Sequence, residues 1–272
     1  MSKLEFYAIT DPGMVRSHNE DNIAVQYLPD GSAGLVILAD GMGGHNAGEV
    51  ASAIAVSVLM EAVGNQLGQL LSIPWPDAAP LLRQRLVDGV RLANLAIFSA
   101  ASERPECYGM GTTLTLALFH HNMVTIVHVG DSRAYRLRTG SLQQLTSDHS
   151  VLQEQIDAGV ISAEEAHFSM NKNVITRALG VEPDVLVDVY ETASVVGDVY
   201  LLCSDGLSDM LLPLEIRDDL LQNADDPQAL CQMLVDHANA TGGRDNISVA
   251  LVCQAEGAVQ DPGNGHVERW VC

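Results

Sequence analysis

Aspartate recurs beside glycine or asparagine at the end of an apolar strand-like run in four places along the sequence. The first station is Ala39-Asp40-Gly41-Met42-Gly43-Gly44-His45, and the second is Val129-Gly130-Asp131-Ser132-Arg133. The third is Cys203-Ser204-Asp205-Gly206-Leu207-Ser208-Asp209, and the fourth is Gly242-Gly243-Arg244-Asp245-Asn246-Ile247-Ser248. An acidic pair, Glu20-Asp21, closes an earlier segment that also carries Arg16. Carboxylates fixed at strand ends suit hard divalent cations, because oxygen ligands favour magnesium, manganese or calcium. A glycine beside such a ligand lets its own carbonyl approach the ion without a side chain in the way. Two ions about 3.5–4 Å apart could share a carboxylate and a water, lowering the pKa of that water toward ~7. Arg16 could then clamp a phosphate through two parallel hydrogen bonds. Each station also has a plain structural account: Asp-Gly makes ordinary turns, Arg16 could be a surface residue, and Glu49 could simply complement a helix dipole. Residue pattern alone leaves both accounts open, and recurrence is what favours a site.

Other chemistries fit less well. The glycines after Asp40 miss a dinucleotide fingerprint, since Asn46 stands where the third glycine would be, and no P-loop lysine follows. Gly130-Asp131-Ser132-Arg133-Ala134 ends in alanine and leads into a strand, unlike a nucleophile elbow. No H-E-x-x-H spacing occurs among the nine histidines, and no twelve-residue EF-hand loop is present. Gly111-Thr112-Thr113 reads as small residues packing at a strand entry. Five cysteines without a C-x-x-C pair argue against a disulfide framework and a structural zinc.

The elements that must hold the stations follow from apolar periodicity. In a chain of 272 residues, strands are expected over 4–10, 22–28 and 33–39, and the near-continuous apolar run of the third predicts burial on both faces. Helices follow over 47–63 and 79–102, joined by a glycine- and proline-bearing connection. Strands over 112–120, 123–129 and 132–138 are expected to form an antiparallel meander. Residues 148–173 are polar and weakly helical. Strands over 185–190 and 199–203, helices over 214–222 and 227–240, and a strand over 246–254 complete a single domain over 1–255, with a loosely ordered tail over 256–272. Strands and helices in blocks imply sheets packed on each other, not a parallel doubly wound sheet. The chain carries 14 basic against 35 acidic residues, a net charge of −21, which disfavours nucleic acid and anionic membrane surfaces as partners. The apolar run around 50–60 is interrupted by serines and short of a bilayer span. No signal peptide is expected at the start, and the protein is expected to be soluble and cytoplasmic.

Together the stations resemble the PPM family, the metal-dependent type-2C serine/threonine phosphatases, in its bacterial form. The resemblance runs in order through Arg16 to Asp21, Asp40-Gly41-Met42-Gly43-Gly44, Gly130-Asp131-Ser132-Arg133, Ser204-Asp205-Gly206-Leu207 and Asp245-Asn246-Ile247-Ser248. It implies an α+β fold: a four-layer α-β-β-α sandwich of two packed antiparallel sheets flanked by helices. It implies two manganese or magnesium ions, with Asp40 bridging them, the Gly41 carbonyl on one, and Asp205 and Asp245 completing the other. Asp21 would hold waters around the ions, and Asp131 would bind a third, weaker ion that Asp209 could join. Arg16 would bind the substrate phosphate while a metal-activated water attacks phosphorus in line. Many relatives carry histidine directly after the Asp-Gly pair. Here that residue is Met42, so either His45 or water would protonate the leaving group. Residues 148–179 fall where the family carries a mobile flap. The implied substrates are phosphorylated proteins, with a Ser/Thr kinase as the opposing partner and a monomeric enzyme. The alternatives are a same-fold phosphatase for another phosphoester and a non-catalytic binding module.

Overall fold

The computed structural model describes residues 2–44, 47–72, 78–162, 165, 174–222 and 226–256. Two antiparallel sheets face each other. The first orders β1 (Ser2–Asp11), β11 (Ile247–Glu256), β10 (Val199–Cys203), β7 (Arg133–Arg138) and β8 (Ser141–Gln144). The second orders β2 (Asp21–Tyr27), β3 (Gly34–Met42), β5 (Leu114–His120), β6 (Met123–Val129) and β9 (Asp188–Ala193), with β4 (Gly111–Thr112) paired to the end of β3. Helices α1 (Ala47–Ala62), α2 (Leu67–Leu70) and α3 (Ala78–Glu103) contribute to the core on the outer face of the second sheet. A short α4 (Val151–Asp157) follows the β8 region, and α5 (Asp205–Ser208) follows β10. Helices α6 (Pro213–Gln222) and α7 (Pro227–Ala240) cover the outer face of the first sheet. This is the four-layer α-β-β-α sandwich that the resemblance implies, and it contains the packed sheets expected from the block pattern.

Alternation along the strands divides the apolar residues among three cores. Leu35, Ile37 and Ala39 of β3 face outward to α1 and α3, together with Leu114, Leu116 and Leu118 of β5. Val36 and Leu38 face inward and meet Phe119, Tyr200, Leu202, Ala250 and Val252 between the sheets. Leu201, Cys203, Val249 and Leu251 face outward again, toward α6 and α7. A strand with a core on both faces must be apolar at nearly every position, which is why β3 is apolar from Leu35 to Ala39 and β5 interrupts its apolar residues only with Thr115 and the terminal His120. Local signals set the helix ends. Pro80 sits in the first turn of α3, and the Asp226 side chain caps α7 by accepting from the Ala229 N–H at 3.0 Å.

Three expectations need correction. The strands over 112–120, 123–129 and 132–138 do not form one meander: β5 and β6 pair, but β7 lies in the other sheet, between β10 and β8. The chain changes sheets at Gly130, whose φ of +111° takes the backbone where other residues rarely go. Short β8 gives no apolar signal, because its Ser-Leu-Gln-Gln stretch exposes alternate residues at a sheet edge. The connection over 64–76 contains helical turns, Gly64–Gln66 and Leu67–Leu70. The helical stretch Ala47–Leu70 is therefore long enough, at mean hydropathy 1.5, to match a membrane span in length and composition. Its inner face belongs to the core against β3, which accounts for that apolarity. Glu256, expected to open the tail, is the last residue of β11 and pairs with Ser2. Residues 257–272 lie outside the described residues.

The inter-sheet core gives a direct stability test. The Phe119 ring lies edge-on to Tyr200 at 5.1 Å and to Phe6 at 5.9 Å between centroids. Phe119→Ala is expected to destabilise the fold by about 3–5 kcal/mol, read from urea unfolding followed by tryptophan fluorescence and circular dichroism.

Candidate metal centre

Antiparallel register brings the stations to one end of the sandwich. Asp21, the first residue of β2, stands opposite Asp40 near the end of β3. Across the other sheet, Cys203 at the end of β10 stands opposite Arg133 at the start of β7 and Val249 near the start of β11. Asp131, Asp205 and Asp245 therefore flank strand ends that lie together. Their carboxyl groups act on one another. Burial raises Asp40 well above the ordinary carboxylate range, and the charges of Asp21, Asp205, Asp131 and Asp245 raise it further. Asp205 is raised well above that range by burial and then by Asp131, Asp209, Asp245 and Asp21. Burial is also the main cause that takes Asp21 to about 7, with Asp245 adding to it. Asp131 rises to about 7 through burial and the neighbouring Asp148.

The sequence stations account for the carboxylates but not for what holds them. Thr113 takes the backbone N–H of Asp40 on its hydroxyl at 3.0 Å and donates its own N–H to the Asp40 carbonyl at 2.8 Å. The Thr112 hydroxyl donates to that carbonyl as well, at 2.8 Å. Thr113 also meets the Ser132 hydroxyl at 2.8 Å, tying the Asp40 strand end to the Asp131 turn. The Ser204 hydroxyl donates to Asp21 at 2.8 Å. These threonines and serines lack the acidic signature, and Thr112-Thr113 reads from sequence only as small packing residues. The turn before β7 has further supports. His149 Nδ1 accepts the Gly130 N–H at 2.9 Å, and its Nε2 lies 3.2 Å from Asp188 and 2.9 Å from Arg177 Nη1. Arg133 grips Asp148 through Nε at 3.0 Å and Nη2 at 2.6 Å.

Glu20 is the acidic residue that the station pattern leaves without a role. Burial raises its carboxyl, the Gly48 N–H at the start of α1 donates to it, and its Oε1 is buried without a partner. Its signal was its place beside Asp21 at the strand start. Gly41 is required for a reason beyond an accessible carbonyl: a Cβ there would run into the Gly48 carbonyl, so the strand end and helix start approach backbone to backbone. Arg16 lies in an exposed loop and donates to Asp245 at 2.6 Å, a bond that raises its own pKa. Asp209 is half-buried just after α5 and donates its N–H to the Asp205 carbonyl at 2.7 Å. His45 lies outside the described residues.

The donor chemistry fits magnesium or manganese. Asp21 Oδ1, Asp131 Oδ1 and Glu20 Oε1 are buried oxygens with no hydrogen-bond partner, an arrangement that costs free energy unless a cation or water meets them. Among the described residues no three His, Cys, Asp or Glu side chains stand together closely enough to hold a metal ion by themselves, so waters would have to complete any ion's shell. All-oxygen donors that leave part of the shell to water suit magnesium-like ions, whereas a closed cysteine–histidine cage would suit zinc.

The sequence profile described as Protein phosphatase 2C matches residues 15–251. The chain belongs to that family. It is 39% identical over 248 residues to the serine/threonine phosphatase stp of Listeria welshimeri, a match covering 89% of this chain and 93% of the relative. Identity is also 39% to the serine/threonine protein phosphatase PstP of Mycobacterium tuberculosis, covering 91% of this chain and 44% of that longer protein. The structure of the Streptococcus agalactiae serine/threonine phosphatase superposes with a TM-score of 0.82 at 34% identity, covering 93% of this chain and 100% of the other. The PstP catalytic domain in complex with two manganese ions superposes with a TM-score of 0.79 at 36% identity, covering 94% and 100%. The fold expected by resemblance is thus the fold of solved bacterial phosphatases, and manganese or magnesium dependence agrees with the manganese complex.

The raised carboxyls of this phosphatase 2C domain predict a pH dependence with a definite sign. Asp21 and Asp131 are both raised from 3.8 to about 7. A carboxyl raised on folding holds a proton in the native state that the unfolded chain releases. Its contribution is present below the unfolded value and is lost as pH rises through about 7. Chelator-treated protein is therefore expected to melt at a higher temperature near about pH 5 than near about pH 8. Saturating manganese should weaken or reverse that order, since ions bind the ionised carboxylates. Differential scanning fluorimetry across pH, with and without manganese, reads both slopes.

Proposed function

We propose that the chain hydrolyses phosphoserine and phosphothreonine esters in proteins with manganese or magnesium, as a single catalytic domain over residues 1–255. The observation that carries this is the gathering of Asp21, Asp131, Asp205 and Asp245 around Asp40, whose ionisation all four disfavour, in a family whose named relatives are serine/threonine phosphatases. Asp40, Asp205 and Asp245, with the Gly41 carbonyl, would hold two ions. Glu20 would join them, and Asp21, fixed by Ser204, would orient the surrounding waters. Asp131, with Asp209 near Asp205, would hold a third, weaker ion. When bound, the ions supply a water of lowered pKa and positive charge against the phosphoryl oxygens.

The chain's own residues do the rest. Arg16 keeps one guanidinium N–H on Asp245 and has others free to orient the phosphoryl group, a geometry that lysine could not reproduce. His45 or water returns the proton to the leaving serine or threonine oxygen. Helix α4, which has no fully buried residue, lies in the segment that would form a flap beside the site, where substrate selection would reside. The enzyme would act as a cytoplasmic monomer opposing a Ser/Thr kinase.

Hydrolysis of para-nitrophenyl phosphate and of a phosphothreonine peptide, with manganese, with chelator and with Asp205→Ala, tests the proposal. Metal-dependent turnover of both substrates is expected, abolished by chelator and reduced roughly 10²-fold or more in the variant. Inactivity of the wild type with every divalent metal would overturn the catalytic reading. Turnover of the small ester without turnover of phosphopeptides would point to another phosphoester.

A further inference from the structure

The loop that carries Arg16 is long, exposed and outside both sheets, yet an arginine that orients phosphate must be held in place. Met14 and Val15 are 70% and 68% exposed, so packing does not hold the middle of the loop. One buried side chain binds both of its ends. Asn246, 5% exposed, donates from Nδ2 to the Pro12 carbonyl at 3.0 Å and to the His18 carbonyl at 2.8 Å. Its Oδ1 accepts the Glu20 N–H at 2.8 Å. The loop thus leaves and re-enters the fold at one buried amide, with a second, more exposed tie where Asn19 Nδ2 donates to the Thr10 hydroxyl at 2.7 Å. A smaller contact assists: Met14 donates its N–H to the Gly243 carbonyl at 2.8 Å, on the turn that leads to Asp245.

We propose that Asn246 is a positioning residue that staples the 12–20 loop and thereby sets Arg16 beside Asp245; the effect on phosphate rests on the reading of Arg16 as the phosphate-binding residue. Carboxamide chemistry is what the position requires. Two carbonyls need donors and one N–H needs an acceptor, and asparagine offers both on one short stem. Aspartate has the same shape but would set an oxygen against two carbonyl oxygens. Alanine would leave all three backbone groups without a partner. Because Asn246 directly follows Asp245, the staple also fixes the loop relative to the metal end of the site and not merely to the scaffold.

The test compares the manganese-loaded wild type with Asn246→Ala, Asn246→Asp, Arg16→Ala and the double variant Arg16→Ala/Asn246→Ala. The first readout is trypsin cleavage after Arg16, timed by mass spectrometry, which reports loop freedom without reference to catalysis. The second is inhibition of para-nitrophenyl phosphate hydrolysis by inorganic phosphate, and the third is manganese affinity by calorimetry. For both Asn246 variants we expect faster cleavage and a phosphate inhibition constant raised roughly tenfold or more. For Asn246→Ala, manganese affinity should stay within about twofold of wild type. In the double variant, phosphate inhibition should weaken no further than in Arg16→Ala alone, because one residue acts through the other. Unchanged cleavage in a folded Asn246→Asp protein would overturn the staple. Multiplicative losses, or manganese affinity falling in step with phosphate in Asn246→Ala, would assign Asn246 to Asp245 instead and overturn its action through Arg16. Faster cleavage with phosphate inhibition unchanged in both Asn246→Ala and Arg16→Ala would support the staple and overturn the role of Arg16.

Discussion

Five aspartates brought to one end of a β-sandwich repel one another and lose hydration, and the rest of the structure is organised around tolerating that. Burial alone moves Asp21, Asp40, Asp131 and Asp205 upward, and the neighbouring carboxylate charges add to the shift, while Arg133 partly offsets it at Asp131. Taking ionised groups out of water costs several kcal/mol apiece unless a partner compensates. A fold that carries this burden needs stability elsewhere. It has three separate apolar cores, one between the sheets and one under each helical layer. The strands that end in aspartates are among the most deeply buried of the molecule, with Leu35 to Ala39 and Leu201 to Cys203 essentially inaccessible to solvent.

The groups that hold the aspartates are mainly neutral. Threonine and serine hydroxyls bind the backbone of Asp40 and the carboxylate of Asp21, whereas Arg133 is committed to Asp148 and Arg177 to Asp188, away from the cluster's centre. A hydroxyl fixes orientation without cancelling charge. An arginine in its place would neutralise the charge that a divalent ion must meet, lowering its affinity. Arg16 reaches the cluster from an exposed loop, through its ion pair with Asp245. The separation is physical: mainly neutral donors hold the aspartates, while Arg133 is turned to Asp148 and Arg16 stands on an exposed loop.

What was legible in the sequence follows the same division. Four stations with aspartate beside glycine or asparagine at strand ends are a one-dimensional pattern, so Asp40, Asp131, Asp205 and Asp245 stand out from residue order alone. The near-continuous apolar run over Gly34 to Ala39 disclosed β3 as doubly buried. Thr113, Ser132, Ser204 and Asn246 could not be singled out in the same way, because their roles arise from contacts 19 to 234 residues away. The meander failed for a related reason. Periodicity shows that β6 and β7 are strands but not that Gly130 sends them into different sheets. Pairing partners are a property of the packed molecule, and hairpin-like spacing describes only the local chain.

Doubly buried strands raise a problem of register that the site makes acute. Where one sheet face is wet, a one-residue slip exposes the apolar set and is strongly disfavoured. In β3 both faces are apolar, so sliding along β2 would still bury hydrocarbon while carrying Asp40 away from Asp21. Other features must set the register, and they lie at the two ends of β3. At one end Gly34 lies against the Phe6 ring, where a Cβ would stand 2.7 and 2.8 Å from the two ring ε carbons. At the other, Gly41 lies against the Gly48 carbonyl with no room for a side chain. A slip in either direction brings a side-chain-bearing residue, Leu35 or Ala33 at one end and Met42 or Asp40 at the other, to a place that accepts only hydrogen. The glycine beside Asp40 therefore keeps the strand in the one register that puts Asp40 opposite Asp21, and the geometry of the metal end depends on backbone contacts as much as on the carboxylates themselves.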